Sequence, residues 1–273
     1  MKISLFAYFS DLVEKVGIRE AAELISKCGY TGAEFLFIEG RVPSEKEIGN
    51  EYRLTLEEKG ITLPCISCYA EIVKNSSPDK PDRNAIESLM RCADLAHALG
   101  AKYMHHTIYP HIDKNLALPY DTVIDAALAG CVEVAEYAKS VGVTVLYEPQ
   151  GLVFNGKVGF VSFYREMKMR TDNVAVCFDV GNSFWVGEDP MPILDEVKCD
   201  VVHVHLKDYA GYADIPCGDM DCPREVSLGD GAVDMKKIVN TLRSVGYDGF
   251  FSVEDATDIP IEEKYNRTLK IID

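Results

Sequence analysis

T-V-I-D-A-A-L-A-G-C-V-E-V-A-E-Y-A-K-S-V-G-V-T-V-L-Y-E, residues 122–148, decides the architecture. From Val123 to Ala138 apolar residues return every three or four positions, the period of a helix with one buried face. Gly142 then supplies a stop suited to a left-handed C-cap. At Val143 the pattern changes to a short β-branched run that closes on Glu148. A helix followed at once by a strand is half of a β–α–β unit.

The same unit recurs outward in both directions. A-A-E-L-I-S-K-C-G (21–29), A-I-E-S-L-M-R-C-A-D-L-A-H-A-L-G (85–100) and M-K-K-I-V-N-T-L-R-S-V-G (235–246) are helical patterns that also end on glycine. Eight strand candidates begin near Lys2, Gly32, Ile61, Ala101, Val143, Val174, Val201 and Gly249. Right-handed crossovers between sequential parallel strands over 273 residues favour a closed (β/α)8 TIM barrel, an α/β fold spanning residues 1–273 as one domain. An open doubly wound sheet is the alternative. It would carry a glycine-rich phosphate loop after its first strand, and Y-F-S-D-L-V-E-K-V-G (8–17) contains no such loop.

Composition narrows the function. With 28 Lys and Arg against 44 Asp and Glu the net charge is −16, and no basic cluster offsets it, so neither nucleic acid nor a membrane surface is expected as a partner. No stretch reaches the roughly 20 apolar residues of a membrane span, and M-K-I-S-L-F-A-Y opens directly as a strand, which points to the cytoplasm. Nine scattered cysteines read as reduced thiols. A homo-oligomer is compatible with all of this.

In a barrel the chemistry gathers where strands run out. V-T-V-L-Y-E ends in Glu148, V-A-V-C-F-D in Asp179 and G-F-F-S-V-E in Glu254, while V-V-H-V-H-L-K-D carries His205. Period-two alternation puts Leu146, Cys177, His203 and Ser252 on the same face, one layer deeper. Acids at strand ends often cap the next helix. Four on consecutive strands ask for more, because three converging carboxylates repel one another unless one is protonated or a cation is present. Three oxygen donors and one imidazole suit Mn²⁺ best, with Mg²⁺, Co²⁺ and Zn²⁺ also accommodated.

Y-E-P-Q (147–150), F-D-V-G-N (178–182), H-V-H-L-K-D (203–208), L-G-D-G-A-V-D (228–234) and G-Y-D-G-F-F-S-V-E (246–254), in this order, make the chain similar to the sugar phosphate isomerase/epimerase superfamily, the xylose isomerase-like barrels. The resemblance implies that Glu148, Asp179, His205 and Glu254 hold a catalytic divalent metal and that Glu148 and Glu254 double as acid/base groups. It implies a sugar or sugar phosphate as substrate. Relatives similar to the ketose 3-epimerases place a histidine, a second glutamate and an arginine where this chain has Asn182, Phe154 and Gly211. The metal set therefore transfers better than that specificity.

Further substrate contacts are expected from four residues. In A-K-Y-M-H-H-T (101–107) only one of two adjacent histidines can face the barrel, and His106 matches the superfamily's strand-end histidine better than His105. Asn182 follows the sixth strand, Lys207 is the one cation at the rim, and Trp185 beside Phe184 offers a sugar an apolar wall. Glu34, an acid inside T-G-A-E-F-L-F-I-E (31–39), needs a buried partner and matches a glutamate common on the superfamily's second strand. Cys65 and Cys68 read as core thiols, and the loop 209–227, with Cys217 and Cys222, as a lid.

The expected enzyme is a divalent-metal-dependent isomerase or epimerase that moves a proton at carbon beside a carbonyl, with the metal stabilising the enediolate. Two alternatives stay open. A dehydratase of the inosose or dehydroshikimate type would use the same site, and a non-catalytic sugar-binding barrel would use only its shape.

Overall fold

A computed structural model of the protein describes residues 2–6, 8–212 and 223–273. Its strands are β1 (Ile3–Leu5), β2 (Gly32–Ala33), β3 (Phe35–Ile38), β4 (Cys65–Tyr69), β5 (Tyr103–His106), β6 (Thr144–Tyr147), β7 (Val174–Asp179), β8 (Val201–Leu206), β9 (Asp208–Tyr209), β10 (Glu225–Val226) and β11 (Phe251–Val253). Between them run α1 (Tyr8–Val16), α2 (Ile18–Cys28), α3 (Glu45–Glu58), α4 (Arg83–Leu99), α5 (Tyr120–Ser140), α6 (Val161–Arg170), α7 (Pro190–Val197), α8 (Met235–Ser244) and α9 (Ile261–Ile272).

The parallel sheet runs in the order β2-β1-β11-β8-β7-β6-β5-β4-β3. Its two terminal strands are halves of one, parted only by Glu34. Gly32 and Ala33 pair with β1, Phe35–Ile38 pair with β4, and the Glu34 N–H still reaches the Leu5 carbonyl at 2.9 Å. Counted with that seam, eight strands close into the expected barrel, ringed by helices that pack on their neighbours.

The chain's punctuation behaves as its chemistry requires. Gly29 and Gly100 cap α2 and α4 in the left-handed region, and Asp82, Asp189 and Asp234 cap the N-termini of α4, α7 and α8. The strand expected from Ile61 begins at Cys65 instead. Thr62 makes a single bridge to Gly32, and Pro64 has no N–H with which to start a ladder.

Inside the barrel Cys65, Leu146 and Cys177 form an apolar floor. Outside it Phe154, Phe160 and Phe163 are fully buried under the helices, each contributing about 1.5–3 kcal/mol by its removal from water. Cys65 and Cys68 fall on opposite faces, the second hydrogen-bonded to Cys92, so they form no paired motif. All seven cysteines among the described residues are free.

The L-G-D-G-A-V-D stretch is a clasp. The Asp208 carboxylate accepts hydrogen bonds from the backbone N–H groups of Gly229 and Gly231 at 2.9 Å and of Val233 at 3.2 Å. A Cβ on Gly231 would collide with that carboxylate, so no larger residue fits. β9 and β10 pair antiparallel as a small second sheet absent from the eightfold reading. Residues 213–222 of the expected lid, with Cys217 and Cys222, lie outside the described residues. Among those described, no helix is long and apolar enough to cross a membrane.

Candidate functional site

β8 places His205 at the centre of the barrel mouth. Its ring stacks on Phe6 with centroids 4.3 Å apart, and its Nε2 lies 3.2 Å from Oε1 of Glu34. A carboxylate only accepts, so Nε2 carries the proton and donates. Nδ1 is turned the other way, 3.2 Å from Oε2 of Glu148 and 3.4 Å from Oε2 of Glu254. Burial opposes the charged imidazole. Glu34 and Glu148 outweigh it and lift His205 well above the ordinary imidazole range, while Cys177, itself kept a thiol by burial, adds little real charge.

Asp179, at the end of β7, divides its work. Oδ1 accepts from the N–H groups of Gly181 at 2.8 Å and Asn182 at 2.6 Å, the capping role that an acid at a strand end usually has. Oδ2 makes no hydrogen bond and faces the site. Glu148, directly after β6, accepts from Gln150 Nε2 at 3.0 Å through Oε1 and leaves Oε2 without a hydrogen bond. Burial works against its ionisation, but the charged His205 and Lys207 hold it below the usual carboxylate range, while His105, itself kept neutral by burial, adds little real charge.

Glu148, Asp179 and His205 offer donor atoms within 4.8 Å of one another. Glu148 Oε2, Asp179 Oδ2 and His205 Nδ1 are also buried polar atoms without hydrogen-bond partners, as a metal-binding set requires before its ion arrives. Glu254 joins them through its approach to His205 Nδ1. The residues present fit a divalent cation. A second trio, Cys177, His203 and His205, is equally compact, but both imidazoles commit Nε2 to Glu34.

Lys207 is not at the rim. It is buried, with Nζ 2.6 Å from Oε1 of Glu254, 3.5 Å from Oδ2 of Asp179 and 3.4 Å from Oδ1 of Asn182. The strand's alternation carries it inward, one pleat above His205. Burial opposes its charge, but Glu254 and Asp179 keep it firmly an ammonium. Burial, with Asp179 and Glu148 nearby, pushes Glu254 up to about 8 against the pull of Lys207.

The two adjacent histidines are also reversed from expectation. His105 faces the barrel, because β5 pairs it with Ser67 on the inner face; its Nε2 lies 3.5 Å from Glu148. His106 turns to the outer face, with Nδ1 on the Thr107 carbonyl and its ring edge-on to Tyr147. Asn182 lies 3.5 Å from Glu148 Oε1 through its amide nitrogen, beside its contact with Lys207. Trp185 lines a groove of about 730 Å³ with Leu118, Val153 and Val158, and its Nε1 donates to the Tyr209 hydroxyl at 3.0 Å. None of Glu148, Asp179, His205 and Glu254 lines that groove.

Sequence reasoning passed over Gln150, Ser67 and Glu225. Gln150 stands two residues after Glu148 in Y-E-P-Q, a usable signal. Glu225, on β10, is pushed above the usual carboxylate range by burial.

A closed parallel barrel with a metal-competent Glu–Asp–His set at its C-terminal mouth defines a class, and the sequence model of the xylose isomerase-like TIM barrel family matches residues 22–273. The chain belongs to that family. An inosose dehydratase of Lacticaseibacillus casei is 23% identical over 283 residues, covering 95% of this chain and 89% of the relative. The probable 3-DHS dehydratase AsbF of Bacillus anthracis superposes with a TM-score of 0.75 at 16% identity, covering 100% of this chain and 98% of that one. D-psicose 3-epimerase of Clostridium cellulolyticum H10 gives 0.72 at 17%, covering 97% and 89%.

Proposed function

We propose that this protein is a metal-dependent dehydratase of a keto-polyol of the inosose type. The observation that carries the reading is that one donor set gathers a group fit to accept a proton and a group fit to donate one: Glu148 beside His105, and Glu254 with Lys207 at 2.6 Å. β-Elimination needs both. A carboxylate takes the proton from carbon beside the carbonyl, the electron pair forms a C=C bond and breaks the C–O bond of the β-hydroxyl, and a second group protonates the departing hydroxide to water.

Glu148, held ionised by its neighbours, is the base in this scheme. The Glu254–Lys207 pair supplies the proton to the leaving group, and Asn182 spans the two halves of the site. Glu148, Asp179, His205 and Glu254 would hold the divalent cation, which when bound supplies Lewis-acid stabilisation of the carbonyl oxygen. Mn²⁺ remains our assignment from the donor types. The 23% likeness to inosose dehydratase over 95% of the chain supports the dehydratase reading. So does Phe154, which lies buried in an aromatic cluster where ketose 3-epimerase-like relatives carry a second glutamate.

Isomerisation or epimerisation is the second reading, favoured by the structural likeness to D-psicose 3-epimerase. It shares the proton abstraction but returns the proton to carbon. The test is metal analysis of the protein, followed by incubation in D₂O with a keto-inositol, dehydroshikimate, ketoses and ketose phosphates. Loss of water with a new conjugated-carbonyl absorbance from the keto-inositol is expected. Deuterium entering a ketose without loss of water would replace this proposal with the second reading. Glu148→Gln and Glu254→Gln should each lower turnover by about 10²-fold or more while retaining metal.

A further inference from the structure

Glu34 is fully buried at the seam between β2 and β3, and its two oxygens meet four partners. Oε2 accepts from Ser252 Oγ at 3.0 Å and from His203 Nε2 at 2.9 Å; Oε1 accepts from His205 Nε2 at 3.2 Å and from Ser67 Oγ at 2.7 Å. Ser67 has a single hydroxyl proton, and Glu34 takes it. The same Ser67 oxygen lies 3.1 Å from His105 Nδ1 and so can only accept there. His105 must then carry its proton on Nδ1. Its Nε2, buried and without a hydrogen-bond partner, points a lone pair at the site beside Glu148.

We propose that Glu34, acting through Ser67, is a positioning residue that locks His105 in the Nδ1–H tautomer, so that Nε2 accepts a hydrogen bond from a substrate hydroxyl. One buried carboxylate thereby orients two histidines of the site at once, His205 directly and His105 through a serine. The tautomer stands apart from any reaction; the substrate contact rests on the keto-polyol reading. His105 offers an acceptor where the free oxygens of Glu148 and Asp179 would be taken up by the metal, and it distinguishes a hydroxyl from a group that cannot donate.

The experiment is long-range ¹H–¹⁵N spectroscopy of the histidine rings in chelator-treated protein, with His105 assigned by the resonances that His105→Asn removes. A proton on Nδ1 and none on Nε2 is expected. A proton on Nε2 overturns the relay, whatever the protein turns over. Ser67→Ala should let the Nε2–H form appear and Ser67→Thr should restore the wild-type ring. Should Ser67→Ala fail to fold, the wild-type spectrum alone still decides. His105→Asn keeps an amide to donate to Ser67 but lacks Nε2, and it should weaken binding of a keto-inositol by about tenfold, the scale of one lost hydrogen bond. Unchanged binding beside the expected tautomer overturns the substrate contact. No binding by the wild type sinks the keto-polyol reading and the substrate contact built on it, while the spectrum still judges the relay.

Discussion

Lys207 holds Glu254 by an ion pair of 2.6 Å inside a site that already gathers Glu148, Asp179 and His205. A single ammonium thus balances part of the carboxylate charge before any metal enters, and it stands beside the group assigned as proton donor.

Replacing Lys207 with Met should lower turnover by about 10²–10⁴-fold, the usual weight of a general acid, with metal content matched to wild type. Lys207→Arg should not restore it, because a planar guanidinium cannot take the place of a compact ammonium between Glu254 and Asp179. Steady-state rates are the measurement, and activity within about tenfold of wild type in Lys207→Met would remove the lysine from the chemistry.

Chelated protein should lose stability as pH rises. Glu254 sits at about 8 in the fold against 4.5 for the free side chain, so between those values the native state binds a proton that the unfolded state has released. Each pH unit in that window then subtracts about 1.4 kcal/mol at most. His205, lifted above the usual imidazole range, acts with the same sign: its stabilisation is present at low pH and fades as pH climbs through its folded value. Denaturant midpoints near pH 6 and pH 9 check this, and Glu254→Gln should flatten the slope. A divalent metal, which binds the deprotonated donors, should stabilise the protein more as pH rises.

Asp179 offers a separation of its two duties. Asp179→Asn keeps an oxygen for the Gly181 and Asn182 N–H groups, so the melting temperature of chelated protein should hardly move, while metal affinity falls by more than the roughly 10–100-fold of an outer-shell change. Asp179→Ala should add a loss of about 0.5–2 kcal/mol for the missing cap. Calorimetric metal titration and thermal melts read the two effects separately. Equal melting temperatures for the two variants would argue against the capping role.

Gly231→Ala should destabilise the protein by about 1–3 kcal/mol, since the added methyl must displace the Asp208 carboxylate from the backbone N–H groups of Gly229, Gly231 and Val233. Chemical denaturation measures it. A change below about 0.5 kcal/mol would show that the clasp yields at little expense.

Much of this molecule could be read from its letters because the informative residues broke a pattern. Glu148, Asp179 and Glu254 interrupt apolar runs at strand ends, and period-two alternation put Leu146, Cys177, His203 and Ser252 beneath them. What escaped depended on register between distant strands. Whether His105 or His106 faces inward is settled by the pairing of His105 with Ser67, which the letters of A-K-Y-M-H-H-T alone do not supply. Lys207 reads as a rim cation because it follows the strand end, and only the fold shows Glu254, Asp179 and Asn182 closing around it. A clue was present: Glu34, Ser67, His105, His203 and Ser252 are isolated polar residues in buried strands, and a buried carboxylate demands donors. Grouping them by that need would have assembled the layer beneath the site.

The Asp208 clasp also bears on how such a barrel changes its diet. By tying residues 229–233 back to the end of β8, it fixes where the chain leaves that strand, and the pairing of β9 with β10 holds Glu225 opposite Tyr209. Lys207, the residue before Asp208, is anchored by the same clasp, so a barrel whose diet changed at its other loops would keep its ammonium over Glu254 and Asp179.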